Sequence, residues 1–121
     1  MSTSAKLIVE EGYTDNLSHE LYDRLYFYRH YDGYPETVMP RLEALVDKII
    51  DGKLRNSVRQ FSGWIIIDGH DEYLWEDQET PGIHENWKVG AWEPWPGHHE
   101  EMDVIYTYKI TLGKEPKVEM I

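Results

Sequence analysis

The sequence predicts an α+β fold, an antiparallel sheet of about five strands with two consecutive helices packed on one face, in the order ββααβββ. Three observations predict it. Two runs rich in β-branched and aromatic residues come first. Two adjoining segments with helical spacing of apolar residues follow. Strand-like alternation returns near the end of the chain. Because 121 residues supply one core but not two, we expect a single domain over 1–121.

The first half of the chain predicts two strands and a helix. Lys6–Glu10 and Arg24–His30 are the strands, separated by a turn-rich segment at 11–19. A helix is predicted over 36–51, because apolar residues recur there at helical spacing and Gly52 follows its end. The apolar positions are Val38, Leu42, Leu45, Val46, Ile49 and Ile50.

The second half begins with an ambiguous segment. Asn56–Asp68 fits either a helix or, over its isoleucines, a buried strand; Asn56 as N-cap and Gly69 as terminator favour the helix. Asp68–Glu85 holds seven acids and no Lys or Arg, which predicts a long acidic loop. The remaining predictions are a strand at Trp87–Trp92, a rigid turn at Glu93–Gly97, a strand at Asp103–Leu112 and an edge strand at Lys117–Ile121.

Composition excludes several function classes. The chain has no cysteine, which rules out a disulfide scaffold, a thiol nucleophile and a Cys-ligated metal, and fits a reducing cytoplasm. No apolar run reaches the roughly 20 residues that span a bilayer, so we expect no membrane partner. The formal net charge of −11 disfavours direct binding of duplex DNA, because the phosphates would be repelled.

The charged residues are distributed unevenly along the chain. Residues 24–59 carry seven bases and five acids, whereas 60–103 carry eleven acids and one base. The mildly basic segment is therefore the place where an anion could be held.

The stretch Tyr28-Arg-His-Tyr-Asp-Gly-Tyr-Pro35 is the richest in chemistry. It places a guanidinium, an imidazole, a carboxylate and three tyrosines at a predicted junction between a strand and a helix. Arg29 could grip a phosphate while the tyrosines stack on a base; alternatively, Arg29 and Asp32 form a local ion pair in a tight turn. The predicted ligand-binding set is Arg29, His30, Tyr31, Asp32, Tyr34, Arg55 and Arg59.

Neither catalysis nor a bound metal or cofactor is predicted. The chain lacks the GxSxG, P-loop and GxGxxG motifs, so we do not expect an enzyme. His98, His99 and Asp103 are metal-ligating residue types, but adjacent residues on one backbone seldom converge on a single ion. We expect solvated turns there.

The acidic segment supports an alternative function. A dense array of carboxylates can imitate DNA phosphates and occupy a nucleic-acid-binding protein, although acidic loops also serve solubility. Exposed tryptophans would then anchor a protein interface. The predicted interface set is Trp75, Glu76, Asp77, Glu79, Trp92 and Trp95.

Three motifs together resemble those of a group of small phage and prophage proteins: Tyr28–Pro35, Trp87–Pro94 and His99–Tyr108. The resemblance covers roughly residues 24–112. It implies an accessory phage protein that acts in the host cytoplasm, where proteins of this size often counter immunity.

Two routes to that end are physically distinct. One is similar to that of the Thoeris anti-defence proteins, in which a sponge sequesters a cyclic nucleotide signal without catalysis. The other is an acidic DNA mimic or steric inhibitor of a host CRISPR or restriction complex. We place the nucleotide sponge first, and we expect a homo-oligomer because one small domain has little room to enclose a dinucleotide-sized ligand.

Overall fold

The computed structural model describes residues 3–14, 20–76, 91–98, 100 and 102–121. The elements follow the predicted order ββααβββ, and the α+β class is confirmed. They are β1 (Ala5–Thr14), β2 (Glu20–Arg29), α1 (Pro35–Ile50), α2 (Val58–Glu76), β3 (Glu93–Pro94), β4 (Tyr106–Leu112) and β5 (Lys117–Met120).

The five strands form one sheet in the order β3-β2-β1-β4-β5. Three neighbouring pairs are antiparallel, but β1 and β4 run parallel, with Leu7 opposite Tyr108. The sheet is therefore mostly antiparallel, as predicted, but the β1–β4 pair makes it mixed. The reason is topological: the chain leaves β2, passes through both helices and the short β3 beside β2, and then enters β4 beside β1 in the direction of β1.

One face of the sheet carries both helices. α1 packs on β4 and β5, and α2 packs on β1 and β2. The predicted apolar stripe of α1 is buried, with Leu45 at 6% exposure, while Ile50 is 59% exposed. The core residues are Ala5, Leu7, Val9, Phe27, Val38, Leu42, Leu45, Val46, Ile49, Val58, Phe61, Ile65, Trp92, Tyr108, Ile110 and Leu112.

The β1–β2 hairpin is longer than predicted. Its ladder runs from Ala5 opposite Arg29 to Thr14 opposite Glu20, so part of the predicted loop at 11–19 is strand. Pairing with a partner strand supplies backbone hydrogen bonds to residues whose own strand propensity is low, which local sequence does not reveal. Residues 15–19 lie outside the described part of the chain.

α2 resolves the ambiguous segment as a helix but with different ends. Its first turn closes with the Phe61 N–H donating to the Ser57 carbonyl at 2.9 Å. Asn56 is not the N-cap, because its side-chain amide exchanges two hydrogen bonds with the backbone of Gly113, at 2.6 and 3.0 Å. Gly69 does not end the helix, which continues to Glu76. The start of the predicted acidic loop is thus helical, and 77–85 lies outside the described residues.

The third and fourth strands are shorter than predicted. Of the predicted strand Trp87–Trp92, residues 87–90 are outside the described part and the last two residues are not in a strand. The two-residue β3 instead falls in the predicted turn, and β4 begins at Tyr106 rather than Asp103. β5 lies at the edge, as predicted. No helix among the described residues is long and apolar enough to cross a bilayer.

Candidate functional site

Arg29 lies at the end of β2 on the helix-covered face. Arg29 is only 1% exposed, and its Nε donates to the backbone carbonyls of Tyr31 at 3.0 Å and Asp32 at 3.2 Å. The guanidinium carbon is 5.5 Å from the centre of the Trp92 ring, a cation–π distance. The guanidinium thus holds the turn that follows β2, which corrects the prediction that it grips an external phosphate.

Close backbone packing completes that turn. Asp32 has a φ of 56°, and the Gly33 N–H donates to the Thr3 carbonyl at 2.8 Å. A Cβ at Gly33 would lie 2.6 Å from that same oxygen, so only glycine fits. The Tyr108 hydroxyl donates to the Gly33 carbonyl at 2.6 Å, and burial raises the pKa of Tyr108 to about 12.

Tyr34 begins α1 with its ring at the surface. Its carbonyl accepts from the Val38 N–H at 2.9 Å, and Pro35 follows in the first turn. The side chain makes no capping hydrogen bond; Tyr34 is 46% exposed, with its ring 6.3 Å from that of Tyr106. Tyr34 is therefore available to solvent, and its predicted role in ligand binding stays a prediction.

A cluster of rings occupies the opposite, helix-free side of the same region; we call Tyr28, His30, Tyr31 and Trp95 the aromatic surface. The ring of His30 meets that of Tyr31 edge-on at 4.7 Å, and the Tyr28 and Trp95 rings are 5.7 Å apart. The Tyr28 hydroxyl and His30 Nδ1 share a hydrogen bond of 2.7 Å. Burial, and then the charge of Glu93, raise the pKa of Tyr28, so this hydroxyl keeps its proton at neutral pH.

Trp95 is held in place at both ends. Its backbone N–H donates to the Tyr26 carbonyl at 2.9 Å, and its indole Nε1 donates to the His98 carbonyl at 3.2 Å. The ring is half-buried beside a cavity of about 320 Å³ between β2, α2 and the segment after β3. The lining residues are Arg24, Leu25, Tyr26, Phe27, Ser62, Ile66, Pro94, Trp95, Pro96 and Gly97.

A charge network lies on the helix-free face next to this cavity. The Glu10 carboxylate accepts from Arg24 at 2.7 Å and from Lys109 at 2.6 Å. Burial alone would raise the pKa of Glu10, but the hydrogen bonds and charges of Lys109 and Arg24 outweigh it and hold that pKa below its usual range. Sequence reasoning missed this network because its members come from three strands.

Arg55 and Arg59 lie elsewhere. They line a groove of about 730 Å³ together with Glu11 and Asp23, and the Glu11 carboxylate accepts from the Val58 N–H at 3.4 Å. Asp23 and Arg29 are six positions apart on β2, which corresponds to about 20 Å along a strand. The predicted ligand-binding set therefore does not form one site, because its members lie towards opposite ends of β2.

The predicted interface residues also separate. Trp92 is buried at 5% exposure, so it is not the exposed anchor that we predicted. Trp95 does reach the surface. Trp75 and Glu76 lie in the last turn of α2, and Asp77 and Glu79 fall outside the described residues.

Within the described part of the chain, no three His, Asp or Glu side chains are grouped so as to hold a metal ion. His98 is described, but His99 is not. No family model, curated protein or solved structure matches this chain.

Proposed function

We propose that this chain is a non-catalytic binding protein that takes up a nucleotide at the aromatic surface and the cavity beside Trp95. In the phage context that the resemblance implies, it would sequester a nucleotide signal of immunity in the host cytoplasm. The observation that carries the proposal is the position of Trp95 beside a cavity of about 320 Å³. Hydrogen bonds from its backbone N–H and from its indole N–H hold the residue there.

The cavity has the size and lining of a small-ligand site. Such sites start at about 300 Å³ and combine apolar walls with a few polar groups. Phe27 and Ile66 supply apolar wall, and the half-buried Trp95 ring supplies a plane for base stacking. Stacking requires no catalytic group, which agrees with the lack of catalytic motifs in the sequence.

Arg24 supplies the positive charge on the rim. Its side chain is 45% exposed although it is paired with Glu10. A guanidinium has five N–H donors, more than one carboxylate can occupy, so Arg24 can contact a phosphate while it keeps Glu10. It thereby takes the role that the sequence suggested for Arg29, which is buried.

Calorimetric titration tests the proposal with cyclic di- and trinucleotides and cyclic ADP-ribose isomers. The wild type is expected to bind at least one of them, and Trp95→Ala to lose roughly tenfold or more in affinity, because base–aromatic stacking contributes about 1–3 kcal/mol. Trp64→Ala is the matched control, since Trp64 is 37% exposed on α2 and does not line the cavity. A wild type that binds none of the panel contradicts the proposal, as does equal loss in both variants.

A second candidate function is steric inhibition of a host defence protein. It is favoured by two large apolar side chains on one face of α2, Trp64 and Ile67, which are three residues apart and 37% and 47% exposed. The DNA-mimic form of this candidate uses the acids after Asp68. Reversing Glu76, Asp77 and Glu79 to Lys should abolish anti-defence activity if those charges imitate phosphates, whereas retained activity excludes the mimic.

A further inference from the structure

The outer edge of β5 is open. β5 is the last strand of the sheet, and in the described part of the chain no strand pairs with its far side. The Ile121 N–H donates to the Thr107 carbonyl on β4 at 2.9 Å. Because N–H groups alternate in direction along a strand, those of Val118 and Met120 point away from β4. An edge of this kind is a template for pairing with another chain.

We propose that two copies of this chain pair through β5, antiparallel and centred on Val118. The sequence of the strand is self-complementary about that residue. In this register Lys117 of each copy lies directly opposite Glu119 of the other, and both side chains are on the helix-free face. Directly opposed residues of opposite charge stabilise an antiparallel pair, and here the twofold symmetry supplies two such pairs.

The backbone fits the same register. Val118 of each copy donates to the Val118 carbonyl of the other, and the Met120 N–H reaches the carbonyl of Pro116 in the second copy. Pro116 has no N–H of its own, so the ladder ends there and the paired segment is short. A register shifted by one residue would place the charged side chains of one copy on the face that carries the apolar side chains of the other.

Burial of apolar side chains supplies a further driving force. Met120 is 52% exposed and Ile121 is 70% exposed at this edge. Pairing removes part of both side chains from water. The charge pattern indicates a second copy as the occupant, because an unrelated peptide would have no reason to match Lys117 and Glu119 in reverse order.

The dimer leaves the proposed ligand site open. Four strand spacings separate β3 from β5, or about 19 Å, so the Trp95 cavity lies near the opposite edge of the sheet. The interface does not depend on nucleotide binding, and each chain should bind ligand independently. This differs from the expectation that oligomerisation itself encloses the ligand.

Charge reversal and its rescue test the interface. Light scattering and sedimentation velocity should give the wild type twice the chain mass of 14.4 kDa. Lys117→Glu and Glu119→Lys each place like charges opposite each other and should raise the dimer dissociation constant roughly tenfold or more at low salt. The double variant with both changes should dimerise again, and an equal mixture of the two single variants should form heterodimers.

Lys53→Glu is the matched control for Lys117→Glu. It makes the same charge change at an exposed loop position away from β5, so it should leave the dimer intact. Melting temperatures confirm that each variant folds. A wild type that stays monomeric at all concentrations overturns the proposal. So does a dimer that the single reversals leave unchanged, or one that neither the double variant nor the mixture restores.

Discussion

The two faces of the sheet use the same residue types for different purposes. On the covered face, Arg29 and Tyr108 are buried, and each donates to backbone carbonyls of the turn after β2. On the open face, Tyr28 and His30 bond to each other and remain partly or fully accessible. Because side chains alternate along a strand, one motif both builds the turn and presents a surface. The chemistry of a residue on β2 therefore predicts its role only when the face on which it lies is known.

Trp92 and Trp95, which lie outside β2, show the same difference in burial between nearby residues of one type. They are three residues apart, yet Trp92 is buried against Tyr108 while Trp95 lies beside the cavity. Sequence reasoning treated both as interface anchors. Of the two, only Trp95 reaches the surface.

Substitution of Arg29 is expected to have the largest effect on stability. Arg29→Ala leaves the carbonyls of Tyr31 and Asp32 without this donor and opens space beside Trp92, so the free energy of unfolding should fall by about 3 kcal/mol or more. His30→Ala, next to it on the open face, should change that free energy by less than about 1 kcal/mol. Urea denaturation of both variants measures the contrast. Equal losses would show that the two faces do not differ as described.

The pKa of Tyr108 gives a second test of burial on the covered face. Burial raises that pKa from the ordinary 10.0 to about 12, so the native state keeps a proton that the unfolded chain loses. The resulting stabilisation is complete below pH 10 and is lost as the pH rises towards 12. Tyr108→Phe should cost about 1–2 kcal/mol at neutral pH through the lost hydrogen bond to Gly33. The difference in unfolding free energy between wild type and variant should shrink over that alkaline range; a constant difference would contradict the assignment.

Substitution of Glu10, on the open face, is expected to change the free energy of unfolding least. Its pKa lies below the ordinary 4.5, so the charged network with Arg24 and Lys109 stabilises the fold above that pH, and the contribution is lost as the pH falls through the native pKa. Glu10→Gln should cost about 0.5–1 kcal/mol at neutral pH, because Arg24 and Lys109 are partly exposed. Unfolding at neutral and acidic pH, each at low and high salt, measures it. A loss as large as that of Arg29→Ala would mean that the open face is as tightly packed as the covered one.

Local patterns in the sequence predicted much of the fold. The apolar spacing of 36–51 identified α1 and its buried stripe, and the short run after Gly113 identified β5. Both signals depend on neighbouring residues alone. The extension of β1 to Thr14 and of α2 beyond Gly69 was missed, because strand pairing and helix packing there override local propensity.

The candidate site was predicted only in part. The motif Tyr28–Pro35 was recognised as rich in chemistry, and His30, Tyr31 and Tyr34 do lie at or near the surface. Arg29 was assigned the wrong role because a guanidinium is so rarely buried that exposure is the natural expectation. The cavity beside Trp95 could not be found, because its walls come from segments far apart in the chain.

Local sequence patterns were enough to predict the class of fold, the order of the elements, the uneven distribution of charge and the residues that alternate along each strand. Which face of β2 the helices cover depends on long-range packing, and hence so does the burial of Arg29 and Trp92, the exposure of His30 and the half-burial of Trp95. Long-range packing also sets the parallel pairing of β4 with β1 and places Arg55 and Arg59 far from the junction of β2 and α1. Alternation and periodicity are local properties, whereas the face that becomes buried depends on contacts between segments distant in sequence.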